Sequence, residues 1–122
     1  MFMDSNSEKP IYVQLAEWMR DAILSGAFPE ESQVPSTTEI SVNYRINPAT
    51  ALKGINVLVD DAVLYKRRGL GMFVCSGAKD RILEKRRQDF FERYITALIA
   101  EAQKLGMDQR DIMEMIERGY SK

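Results

Sequence analysis

The chain contains no histidine and one cysteine, Cys75. Without histidine it lacks the commonest metal ligand and the commonest general base, which excludes zinc sites built on histidine and histidine-dependent triads. A single cysteine cannot close a disulfide within the chain. No apolar run approaches the roughly 20 residues that cross a bilayer, and residues 1–10 are too polar for the core of a signal peptide. A cytoplasmic protein with no membrane partner is expected. There is no P-loop, no dinucleotide-binding glycine pattern and no metal-ligand cluster, so no catalytic residue, cofactor or metal is expected and the chain should not be an enzyme.

Excess charge of one sign is also missing. Seventeen basic residues stand against 18 acidic ones, for a net charge of −1, so any argument for nucleic acid must rest on where the charges lie. One place stands out: Lys66, Arg67 and Arg68 are consecutive and run into Gly69 and Gly71. At 122 residues and 45% hydrophobic, the chain has enough apolar material for one compact domain with a small appendage.

Ile11, Leu15, Met19, Ala22 and Ile23 recur at helical spacing, and Gly26 follows them as a stop. The segment from Phe28 to Val34 reads as a loop or a very short strand. Ser36 and Glu39 form a capping-box pattern that starts a short second helix, which runs to about Asn43 or Tyr44. Asn47 is an N-cap and Pro48 suits the first turn of a third helix, whose apolar residues Ala51, Leu52, Ile55, Leu58 and Val59 carry it to about Asp60. Val63–Tyr65 and Met72–Cys75 are β-prone runs around the basic glycine turn, which is a hairpin signal. From Lys79 to Leu105 no proline or glycine interrupts a helical pattern that would span about 40 Å. Gly106 ends it, and Asp108 caps a last helix that carries Ile112, Met115 and Ile116.

This order predicts a mainly α fold with a small β-hairpin: a winged helix-turn-helix followed by two C-terminal helices. Residues 1–77 would form the DNA-binding domain and residues 78–122 a helical dimerisation tail. The third helix opens with small or polar residues, Ala49, Thr50 and Lys53, that can approach bases and phosphates. Thr50 could equally support the helix start alone. Lys66, Arg67, Arg68 and Gly69 at the hairpin tip suit phosphate or minor-groove contact. On the residues alone, the alternative is a small helical domain with one solvated hairpin. Trp18 reads as packing, the methionines Met107, Met113 and Met115 as adaptable filler in a helical interface, and Cys75 as a small buried hydrophobe rather than a redox sensor.

Five ordered segments carry a family resemblance: Pro10-Ile11-Tyr12-x-Gln14-Leu15, Ile23-Leu24-Ser25-Gly26, Val34-Pro35-Ser36, Ile46-Asn47-Pro48-x-Thr50 and Arg67-Arg68-Gly69-x-Gly71-x-Phe73-Val74. Together they resemble the signature of GntR-type bacterial transcription regulators, and the short two-helix tail resembles the YtrA-like branch. The resemblance implies a homodimeric, sequence-specific DNA-binding regulator, expected to be a repressor acting on an inverted-repeat operator in double-stranded DNA. It leaves room for an unidentified small-molecule effector. It adds Ser36, Thr37, Thr38, Arg45 and Asn47 to the DNA-facing set. The chain departs from the family pattern at Thr38 and Pro48, where arginines are usual, and at Met72 and Ala51. Those missing arginines also allow a protein-interaction module on a winged-helix scaffold that has lost specific operator recognition. For the dimer interface, Phe90, Phe91, Tyr94, Leu98, Ile99, Ile112 and Ile116 are expected, since one small domain cannot shelter so many apolar side chains.

Overall fold

A computed structural model of the chain describes residues 3–122. Helix α1 spans Ile11–Ser25, α2 Thr37–Tyr44 and α3 Pro48–Asp60; strands β1 (Leu64–Arg67) and β2 (Gly71–Val74) follow, then α4 (Ala78–Phe90), a π-helical turn (Phe91–Ile95), α5 (Thr96–Lys104) and α6 (Gln109–Tyr120). Among the described residues no helix is long and apolar enough to cross a membrane. The chain divides into two compact units, the first ending at Leu83 and the second covering Glu84–Lys122. The first unit thus runs past Gly77, because Ala78 and Ile82 at the start of α4 are buried with its core.

The caps expected from sequence are formed. The Ser36 hydroxyl accepts from the Glu39 N–H at 3.0 Å while the Ser36 N–H donates to the Glu39 carboxylate at 3.2 Å. Asn47 Oδ1 accepts from the Ala49 N–H at 2.8 Å, with Pro48 at the first helical position. Leu15, Met19 and Ile23 of α1, Ile40 of α2, and Ile55 and Leu58 of α3 are fully buried together with Leu64 and Val74 of the hairpin. Each such side chain contributes about 1.5–3 kcal/mol over its exposed state. Gly54 permits the α1–α3 contact, since a Cβ on it would lie 2.9 Å from Leu15 Cδ2 and 3.0 Å from the Tyr12 carbonyl oxygen. Arg20 of α1 closes the other end of the pair, donating to Asp61 at 2.9 Å.

β1 and β2 pair antiparallel, Leu64 opposite Val74 and Arg67 opposite Gly71. The strands therefore extend further toward the tip than expected and take Lys66 and Arg67 into β1, which leaves Arg68, Gly69 and Leu70 as the turn. The segment before α2 joins this sheet: Gln33 bridges Phe73, the Val34 N–H donates to Met72 O at 3.0 Å and the Val74 N–H to Ser32 O at 2.9 Å. Trp18 packs edge-on against Phe28 at 5.9 Å and beside Tyr44 at 6.0 Å, a packing role as expected. Cys75 is half-buried, and burial pushes its thiol pKa up, away from reactive thiolate.

The helix expected to run unbroken from Lys79 to Leu105 is instead interrupted at Phe91–Ile95. There the Thr96 N–H reaches back five residues to the Phe91 carbonyl, and the Thr96 hydroxyl donates to the same oxygen at 3.4 Å. Within the second unit, Gly106 takes a φ of +71° and the Met107 N–H closes onto Ala102 O at 2.9 Å, which ends α5. Asp108 and Asp111 cap α6 reciprocally.

Two outcomes are expected. Gly54→Ala should lower the denaturation midpoint at unchanged m-value, by about 1–2 kcal/mol, because the overlap with Leu15 and the Tyr12 backbone outweighs the gain in helix propensity. Unchanged stability would show that α1 and α3 separate without cost. The second concerns Glu30, whose carboxylate accepts from the Gly77 N–H at 2.7 Å and the Lys79 N–H at 3.2 Å; these bonds hold its pKa below the ordinary 4.5. A depressed folded-state pKa gives stability that is present above 4.5 and lost as pH falls through the folded value. Glu30→Gln should therefore destabilise the chain at pH 7, and the difference should shrink as pH is lowered below 4.5, as read from paired thermal melts.

Candidate nucleic-acid interface

The turn between α2 and α3 is built around Arg45, which sits in the left-handed region at φ +52°. The Ser41 hydroxyl donates to the Ile46 carbonyl at 2.7 Å, and the Ile46 N–H donates to Ser41 O at 3.0 Å. With Ile46 buried beneath it, this turn fixes the entry of α3 and leaves Arg45, Asn47 and Ala49 exposed with Thr50 half-buried. On α2, Thr38 is exposed and Thr37 half-buried.

The expected site residues divide by what their side chains already do. Ser36 and Asn47 use acceptor oxygens as helix caps. The Lys53 ammonium lies 4.2 Å over the Tyr12 ring, so a cation on α3 is held against α1. Among the described residues, Arg45, Lys66 and Arg68 are exposed and their side chains make no ion pair or hydrogen bond. Gly69 sits at the turn with a φ of +78°, a conformation that favours glycine.

Arg67 differs from the solvent-facing wing cation expected of it. Its Nη2 donates to the Tyr65 hydroxyl at 2.7 Å and to Glu31 Oε2 at 3.2 Å, Nε donates to the same hydroxyl at 3.0 Å, and the guanidinium lies 4.2 Å over the Phe73 ring. Tyr65 donates onward to Glu31 at 2.7 Å, which holds the phenol pKa above its ordinary 10.0. Glu31 itself occupies the left-handed region at φ +67°, an unusual state for a residue with a side chain. Sequence reading missed this brace and a second one, in which Gln33 Nε2 donates to the Leu70 carbonyl at 2.6 Å. No spacing signal could have found either, since each joins residues more than thirty positions apart.

A helix-turn-helix with an exposed start to its second helix, followed by a hairpin with uncompensated cations, defines a winged helix-turn-helix DNA-binding protein. No family model matches the chain. Among curated proteins it is similar to the HTH-type transcriptional repressor YtrA of Bacillus subtilis, 25% identical over 94% of this chain and 88% of that one. It spans only about a third of several other curated relatives. Among solved structures, a GntR-family transcriptional regulator from Bacteroides thetaiotaomicron is 31% identical over 92% of this chain and 97% of its own, with a TM-score of 0.78. The DNA-binding domain of AraR, solved in complex with an operator, is 28% identical over 62% of this chain and 93% of its own, with a TM-score of 0.55. The chain belongs to the GntR family of transcription regulators, with the short tail of its YtrA-like branch. It regulates transcription by binding DNA and is not an enzyme.

The two wing arginines should behave differently. Because Glu31 already compensates Arg67, Arg67→Ala should leave the slope of log affinity against log salt nearly unchanged and lower the melting temperature. Arg68→Ala should flatten that slope by about 0.9, the value for one lost phosphate contact. Equal slopes for the two variants would put both side chains in the same role.

Proposed function

We propose that the chain is a homodimeric, sequence-specific transcriptional repressor that binds an inverted-repeat operator. The helix beginning at Pro48 lies in the major groove and the wing tracks the adjacent backbone and minor groove. The surface used is the outer side of Thr37, Thr38, Arg45, Asn47, Ala49 and Thr50 with the wing residues Lys66, Arg68 and Gly69, while Arg67 braces the wing from within the domain and Lys53 is held against α1 beside this surface. The protein acts in the cytoplasm, on the chromosome.

One observation carries this reading. In the second unit, Phe90, Phe91 and Tyr94 are each more than half exposed, Leu98, Ile99 and Ile116 are exposed as well, and Ala102 is the buried residue. Ile112 is half-buried in the groove that Leu98, Ala102, Met107 and Ile116 line between α5 and α6. Water-exposed apolar surface of this extent is unfavourable in a monomer and is relieved by burial against a partner. Twofold pairing covers the same patch on both copies and sets two α3 helices on one face of a duplex, about one helical turn apart. On this reading the dimerisation tail is the second unit, Glu84–Lys122, and the DNA-binding domain extends to Leu83 instead of ending at Gly77.

The test uses the full-length protein. Phe91→Asp should convert the dimer to monomer by light scattering and weaken binding to the duplex selected from a random pool by about a hundredfold or more, because the second half-site contact is no longer intramolecular. A Phe91→Asp protein that remains dimeric, or a monomer with undiminished affinity, overturns the proposal.

A further inference from the structure

The wing tip carries a leucine. Leu70 is 62% exposed at the apex of the hairpin, between Gly69 and Gly71, both at positive φ. A single exposed leucine is ordinary on a protein surface, but this one is held. Its N–H donates to the Arg67 carbonyl at 3.0 Å, and its carbonyl accepts from Gln33 Nε2 at 2.6 Å. The Gln33 amide sits so close that a Cβ on Gly71 would lie 2.8 Å from it. Directly beneath, Glu31, Tyr65 and Phe73 fix Arg67 and with it the end of β1. The tip is therefore a braced turn with glycine on both sides and one large apolar side chain between them.

The chemistry around Leu70 selects what it can meet. Lys66 and Arg68 lie within four positions of it and have uncompensated side chains, so the surroundings favour a polyanion. A polyanion offers an apolar partner only where bases are accessible between phosphate rows. Apolar side chains carried into the minor groove wedge between base steps, partly unstack them and kink the duplex, most cheaply at flexible pyrimidine–purine steps. A braced turn suits this use because little conformational entropy is lost when the wedge is seated.

We infer that Leu70 is a specificity-determining wedge that enters the minor groove beside each half-site and favours an easily unstacked step there. The inference rests on the reading of the wing as a DNA contact. Gln33 is the positioning residue, acting through the Leu70 carbonyl.

The experiment selects duplexes from a random pool with the intact protein, then compares Leu70→Asn, Leu70→Met and Gln33→Ala on the selected site. A 2-aminopurine probe placed at the step facing the wing reports unstacking. With the wild-type protein, probe fluorescence should rise on binding. Leu70→Asn should lose that rise, bind roughly tenfold more weakly, and tolerate substitution at that step, with an unchanged salt slope because no phosphate contact is lost. Leu70→Met should keep the affinity and the signal, and Gln33→Ala should reduce the fluorescence rise without altering the slope. The wedge is overturned if Leu70→Asn matches the wild type in affinity and preference, or if its affinity falls with a flattened slope and an unaltered fluorescence rise. Failure of the wild-type protein to bind any duplex would instead overturn the DNA reading of the wing, and the wedge with it.

Discussion

The absence of a side chain at Gly54 is the constraint on which the first unit depends. It lets α3 settle against Leu15 and the Tyr12 backbone of α1, and from that contact the orientation of α3 follows. Ile55 and Leu58 on the same side of α3 are then fully buried, while Ala49, Leu52, Lys53 and Asn56 fall on the exposed side. A helix that reads DNA must keep one face dry and the other free, and the 3.6-residue period does this only if the dry face has a partner at close range. Lys53 shows how near the two faces come, since its stem leaves the exposed side and its ammonium returns over Tyr12.

The same economy appears in the charges. With a net charge of −1, the protein has no overall excess of cations, so attraction to DNA depends on where the cations lie. Glu31 compensates Arg67 and Glu17 compensates Lys9, and exposed pairs of this kind add little stability. Arg45, Lys66 and Arg68, which carry no ion pair among the described residues, stand at the helix-turn-helix turn and the wing. In general, phosphate contacts set sequence-independent affinity and its salt dependence, whereas discrimination comes from contacts in the grooves.

Local signals made the elements of the first unit legible. The capping box at Ser36, the Asn47-Pro48 start and the glycine after α1 each act within four residues, and each appears where the chain implies it. What could not be read lies in contacts that span the chain. The Glu31–Tyr65–Arg67 brace depends on a glutamate adopting a left-handed backbone, which no pattern announces, and it changes Arg67 from a free wing cation into a pinned one. The strand ends shifted for a related reason: pairing with Gly71 lets Arg67 continue β1, although its own β-propensity would not have placed it there. The π turn was hidden because Phe91–Thr96 has unbroken helical composition, and only the register of the Thr96 bonds marks it.

That π turn bears on how the tail presents its apolar surface. An α-helix advances 100° per residue, so Phe90, Phe91 and Tyr94 would share a face only loosely with Leu98 and Ile99 over three turns. Inserting one wider turn re-phases the residues that follow, and Phe90 and Tyr94 pack ring to ring at 5.4 Å on one side of it. An amphipathic helix with a straight seam would need a regular heptad for a long partner. The reset phase divides the apolar surface of this unit into an aromatic cluster at Phe90 and Tyr94 and a groove between α5 and α6. These patches lie on a unit distinct from the winged domain, so substitutions at the rings and substitutions at the wing act on separate surfaces of the chain.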